Sequence, residues 1–161
     1  MRNVSVAHLG EESPVRVDDI RREIVIDAPI ERVWEALTSA EQMSQWFGDS
    51  AEIDLRPGGR ARIGWTEVDA TTDCIVEVVD RPTRFSFRWD ALKDTPLDVA
   101  STLVEFTLVS EGDGTRLTLL ESGFADLPDE AYQARIDENS AGWDSELEDL
   151  RRYLTGVRPV A

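Results

Sequence analysis

From Arg60 to Glu121 apolar side chains recur at every second position in five successive runs, and beyond Asp126 the spacing switches to that of a helix and stays there until Gly156. Period two places alternate residues on opposite faces of a strand, so Ala61, Ile63 and Trp65, then Cys74, Val76 and Val78, then Phe85, Phe87 and Trp89 share one face. Val104, Phe106 and Leu108, followed by Leu117 and Leu119, continue it. The opposite positions carry Arg60, Arg62, Glu77, Arg84, Arg88, Glu105 and Thr107. That is the signature of an antiparallel sheet wetted on one side and covered on the other. Pro57-Gly58-Gly59, Arg81-Pro82 and Glu111-Gly112-Asp113-Gly114 supply the turns of a meander.

The cover is a single long helix. Asp126-Leu127-Pro128-Asp129-Glu130 provides the proline and acids of a helix start, and Tyr132, Ile136, Trp143, Leu147, Leu150 and Leu154 keep helical spacing. A helix over 128–155 is about 42 Å long at 1.5 Å per residue, enough to cross the whole sheet. Arg151 and Arg152 complement its dipole, and Glu138, Asp144, Glu148 and Asp149 are predicted to face water. Ahead of the meander, Ile20 to Asp27 reads as a strand and Ala28-Pro29 opens a helix with Val33, Trp34 and Leu37 on one face. Ser39 with Gln42 is a capping-box pattern for a second short helix through Met43, Trp46 and Phe47, stopped by Gly48. The spacing therefore predicts an α+β domain over residues 20–156, a loosely held extension over 1–19 and a tail over 157–161.

A chain of 161 residues is one domain, burying about 70% of the surface its unfolded chain exposes. Thirty-three acidic against seventeen basic residues leave a net charge of -16. Such a surface repels phosphate backbones and anionic head groups, which argues against nucleic acid as a partner. No apolar run is long enough to span a bilayer, and the first residues lack the basic-then-apolar pattern of a signal peptide, so a cytoplasmic location is expected. The lone cysteine, Cys74, excludes an internal disulfide and is expected to be a small core residue. His8, the only histidine, falls in the extension, which leaves no histidine for a triad or a metal site inside the domain. Pro57-Gly58-Gly59 is not followed by Lys-Ser or Lys-Thr and is read as a hairpin turn, not a phosphate loop. No cofactor and no metal are called for.

The run Ile24-Val25-Ile26-Asp27-Ala28-Pro29-Ile30-Glu31-Arg32-Val33-Trp34-Glu35-Ala36-Leu37-Thr38, with Gln45-Trp46-Phe47 after it, resembles the opening of the activator of heat-shock protein 90 ATPase homologue family. Arg56-Pro57-Gly58-Gly59-Arg60, Glu121-Ser122-Gly123-Phe124 and Gly142-Trp143 follow in the same order. The resemblance implies the START-like, helix-grip fold of the SRPBCC superfamily: a curved antiparallel sheet wrapped around a long C-terminal helix, two short helices between strands 1 and 2, and a cavity between sheet and helix. It also implies the functions of that superfamily, which binds lipids, hormones and polyketides and includes cyclases. The family's eukaryotic founders stimulate a chaperone through an additional N-terminal domain.

Two polar residues stand out within the apolar pattern. Glu121 shares its parity with Leu117 and Leu119, which sets a carboxylate on the covered face, and Asn139 falls where the helix turns toward the sheet. The alternatives are a strand-end Glu121 that reaches solvent or an arginine, and an Asn139 lying off-face in water. Tryptophans and phenylalanines crowd the same interior, most of them core. The expected lining of an apolar, ligand-binding cavity is Trp65, Phe87, Trp89, Glu121, Tyr132, Ile136, Asn139 and Trp143. A binder of a small hydrophobic or aromatic molecule is the first expectation. A cyclase- or dehydratase-like enzyme using Glu121 is the second. An acidic module for a protein partner, or a homodimer, is the third.

Overall fold

Seven antiparallel strands form one sheet in the order β1-β7-β6-β5-β4-β3-β2, in a computed structural model that describes residues 16–91 and 96–156. β1 (Asp19–Ile26) lies beside β7 (Gly114–Ser122), so the first strand and the last close one side of the sheet. Between β1 and β2 (Ser50–Ile53) come α1 (Ile30–Thr38) and α2 (Ala40–Trp46). The meander then runs through β3 (Arg60–Trp65), β4 (Ala70–Asp80), β5 (Arg84–Asp90), β6 (Ser101–Glu111) and β7. α3 (Asp129–Thr155) follows a 3-10 turn over Phe124–Asp126 and covers the sheet. This is the helix-grip fold that the alternation and the resemblance implied. Residues 1–15 and 157–161, for which an extension with His8 and a tail are expected, lie outside the described residues.

Local chemistry explains the joints. Ser39 Oγ accepts the N–H of Gln42 at 3.3 Å, capping α2, and the indole N–H of Trp46 donates to the Ala36 carbonyl at 2.8 Å, locking the two short helices together. Gly48 then turns the chain into β2 with φ of 94°, and an added Cβ there would sit 2.6 Å from the Gly64 carbonyl oxygen. Only glycine fits both demands. β6 and β7 are joined through Gly112-Asp113, with Gly112 also at positive φ. Asp129 and Glu130 sit in the first turn of α3, and Gly156 ends it in the left-handed conformation.

The core lies between the concave face of the sheet and the three helices. Phe85, Phe87, Val104, Phe106, Leu117 and Leu119 are buried on the sheet, and Trp143, Leu147, Leu150 and Leu154 on α3. Each such side chain contributes about 1.5–3 kcal/mol by leaving water. One strand departs from simple alternation. A bulge between Val76 and Val78 shifts the pairing of β4 with β5, so Val79 stands opposite the buried Phe85 and Val78 opposite Ser86. The extra residue moves Val78 off the apolar face to which alternation had assigned it, and Val79 takes its place against the core. On the outer face the arginines pair: Arg62 with Asp73 at 2.9 Å, Arg88 with Glu77 at 3.1 Å, and Arg116 with Glu23 at 3.0 Å.

Tyr132 and Arg16 fasten the entry to β1. Arg16 lies 4.5 Å above the Tyr132 ring and donates to the carbonyls of Ala125 and Leu127 at 3.1 and 2.7 Å. The Tyr132 hydroxyl accepts the N–H of Val17 at 2.6 Å. The expected extension over 1–19 thus includes, at Arg16 and Val17, residues held against the start of α3.

Candidate functional site

Register brings three polar residues of three strands onto the covered face. Trp89 of β5 stands opposite Thr102 of β6, and Glu121 of β7 stands opposite Val104, two positions further along β6. Glu121 has no exposed surface at all. Its Oε2 accepts the indole N–H of Trp89 at 2.9 Å, the hydroxyl of Thr102 at 2.6 Å and the amide of Asn139 at 3.0 Å. Its Oε1 accepts the indole N–H of Trp143 at 2.7 Å and the same Asn139 amide at 3.2 Å. Indole nitrogens can only donate, so an acceptor-only carboxylate matches this set, and among the described residues no arginine or lysine forms an ion pair with it. A buried group of this kind is stable only because each lone pair is met.

Around Glu121 the interior is filled by rings. Phe47 stacks on Trp143 with centroids 5.4 Å apart and planes 13° from parallel, and Trp89 stacks on Trp143 at 5.6 Å. Phe87 meets Trp89 edge-on at 5.5 Å. The space between sheet and helix is thus occupied at its centre, where the fold resemblance implied a cavity. Open volume lies beside it instead. A groove of about 940 Å³ runs between α3 and the ends of β3, β4 and β5. Its walls are Trp65, Trp89 and Trp143 together with Asn139, Gly142 and Glu146 from α3.

Glu146 is a half-buried groove carboxylate that the sequence reading did not single out. Its carboxylate accepts the indole N–H of Trp65 at 3.4 Å. Burial pushes its pKa up to about 7; the Trp65 hydrogen bond opposes that shift, and the neighbouring charge of Asp149 adds to it. A signal was present, since Asn139, Trp143 and Glu146 follow one another at spacings of four and three and so share a helix face. Surrounded in sequence by acids that do face water, Glu146 was hidden by composition. Cys74 is buried, and desolvation, with lesser effects from Asp90 and Asp73, holds its thiol well above the ordinary range, so it is not a ready nucleophile.

The eight expected lining residues separate into three groups. Trp65, Trp89, Asn139 and Trp143 border the groove. Glu121 and Phe87 lie behind that wall, both buried. Ile136 packs against the core, and Tyr132 is engaged with Arg16 and Val17, so neither borders the groove. Among the described residues no three histidine, cysteine, aspartate or glutamate side chains gather in a way that could hold a metal ion. None of the described helices is long and apolar enough to cross a membrane.

Comparison with known proteins gives a consistent picture. The family described as Activator of Hsp90 ATPase homolog 1-like protein matches residues 27–155. No curated protein matches the chain. Among solved structures it is similar to DynU16, a protein of the dynemicin biosynthetic locus, with 27% identity and a TM-score of 0.72 over 89% of this chain and 49% of that one. This chain therefore spans about half the length of DynU16. Protein MLL2253 from Mesorhizobium loti superposes with a TM-score of 0.73 at 24% identity, over 88% of this chain and 99% of that one. The Aha1 dimer from Colwellia psychrerythraea does so at 0.69 and 17%, over 86% of this chain and 96% of that one. The last two show the shared fold alone.

Proposed function

The chain belongs to the Activator of Hsp90 ATPase homolog 1-like protein family, and from that premise we propose that it binds a small organic molecule with an aromatic or apolar body. The groove of about 940 Å³ beside α3 carries this reading, because its size and its indole walls match what such a molecule needs. The Glu121 network has a supporting part. By tying Trp89, Trp143 and Asn139 to one buried anchor it fixes the wall before any ligand arrives, which lowers the ordering cost of binding.

Gly142 provides the test. It lines the groove, and a Cβ added there meets no heavy atom within 4 Å, so Gly142→Leu narrows the groove from the helix side without disturbing the wall. Tryptophan emission and native mass spectrometry, run against lipids, steroids, flavonoids and polyketides, should detect a ligand for the natural chain. The Gly142→Leu protein should stay folded and bind that ligand at least about tenfold more weakly. No ligand in any class, or unchanged binding by the variant, would refute the reading.

A second reading, that the bound molecule is also transformed, has one observation in its favour. A carboxyl titrating at about 7 inside a groove is suited to proton transfer at neutral pH, and Glu146 is such a group. In that reading Glu146, not Glu121, is the acid or base, since the oxygens of Glu121 are already occupied. Loss of turnover with retained binding in Glu146→Gln is the expected result, and equal turnover would exclude it.

A further inference from the structure

The charges along the groove are lopsided in a way the outer face is not. Outside, arginines of the sheet meet the acids: Arg88 meets Glu77 and Arg116 meets both Glu23 and Glu111. In the groove, Asp73 is paired with Arg62 and Glu138 with Arg135, whereas Asp69, Asp90, Asp98 and Glu146 form no ion pair among the described residues. Two guanidiniums, Arg60 and Arg135, also line it, and that of Arg135 is engaged by Glu138 at 3.1 Å and by the Ala91 carbonyl. Behind the indole wall lies a further carboxylate, Glu121, whose partners are neutral donors.

An acidic chain has an excess of acids everywhere, and charges on the far surface are screened within about 8–10 Å at physiological salt. What distinguishes the groove is the combination with aromatic walls. Trp65 and Trp89 are half-buried and border the open volume. An indole face is electronegative and attracts a cation lying over it. Glu146 stands at the nitrogen edge of Trp65. A cation over that ring would meet a π face and a carboxylate together, partly shielded from water, where both attractions are stronger than at an exposed surface.

Resting on the binding reading above, we infer that the groove selects an organic ammonium cation: a protonated or quaternary amine carried on an aromatic or aliphatic body. The apolar part lies along Trp65 and Trp89, and the ammonium is directed at Glu146. A neutral compound of the same shape gains only the first contact, and a carboxylate is repelled.

The test is a matched trio of naphthylmethylamine, naphthylmethanol and naphthoate, titrated calorimetrically into the full chain at about pH 8, where an alkylamine remains protonated. The amine should bind at least about tenfold more tightly than the alcohol, naphthoate should not bind, and added salt should narrow the gap between amine and alcohol. Glu146→Gln should weaken the amine several-fold and leave the alcohol unchanged. Equal binding of amine and alcohol, or a preference for naphthoate, overturns the cation selectivity while leaving a binding groove. Unchanged amine affinity in Glu146→Gln overturns the assigned contact. Failure of all three probes overturns the inference, whereas binding of a larger neutral ligand that Gly142→Leu blocks would show that the groove reading itself survives.

Discussion

Two glutamates share the space between the sheet and α3, and their surroundings could hardly differ more. Glu121, on β7, is wholly enclosed and accepts hydrogen bonds from two indoles, a threonine hydroxyl and an asparagine amide. Glu146, on α3, is half-buried in the groove and has one long hydrogen bond, from Trp65. The first has every demand met by groups brought from two other strands and a helix. The second is desolvated with only that one bond in opposition, which is why its pKa rises to about 7. An enclosed, satisfied carboxylate organises structure. A half-enclosed, under-satisfied one is available for a ligand or a proton.

Replacing the enclosed member should be the most damaging. Glu121→Ala strands the N–H of the buried Trp143, leaves that of Trp89 with the Thr102 hydroxyl alone and opens a void, so a loss of about 3–5 kcal/mol is expected in urea unfolding. For a chain of this size that is a fall in Tm on the order of 10 °C. Glu121→Gln retains the shape but turns one acceptor into a donor facing donors, and should cost about 1–3 kcal/mol. Wild-type stability in both variants would mean that Glu121 does not anchor the indole wall.

At the other glutamate the effect should be smaller and depend on pH. Below the ordinary carboxyl value of 4.5 Glu146 is protonated folded or unfolded and imposes no penalty. As pH rises from there through about 7, the unfolded chain releases the proton first, so the folded state loses stability across that window. Glu146→Gln removes the loss. Its Tm should exceed that of the natural chain at about pH 8 and approach it at about pH 4, a difference readily followed by calorimetry. A constant offset at every pH would show that desolvation of Glu146 is not the cause.

Trp65→Phe makes the finest distinction. It deletes the one hydrogen bond to Glu146 and keeps an aromatic wall, with a stability change expected within about 0.5 kcal/mol. Because that bond holds the Glu146 pKa down, its removal should move the carboxyl titration, read by carbon NMR, further upward. A downward shift would contradict the assignment of causes.

How much of this was legible beforehand differs residue by residue. Helix and strand positions followed from period and caps, and the parity of Glu121 with Leu117 and Leu119 already placed it on the covered face. What met it there was not legible. Trp89, Thr102, Asn139 and Trp143 are far from it along the chain, and their convergence depends on how β5, β6 and α3 lie against β7. Val78 was misplaced because a bulge leaves no mark in an alternating run of valines. Tyr132 had the right helical spacing for the groove, yet its contact with Arg16 belongs to another part of the chain.

The sequence by itself determined the alternating sheet, the helix that covers it, the family and the presence of one carboxylate among apolar neighbours, because each of these is written in short-range spacing or in ordered blocks. Tertiary structure alone decided that Glu121 is enclosed while Glu146 borders open volume, and that rings occupy the centre and leave the groove at the side. The reason is physical: whether a polar group is satisfied, and whether a space is filled, depends on atoms that distant segments bring within a few ångströms, and no local period encodes that meeting.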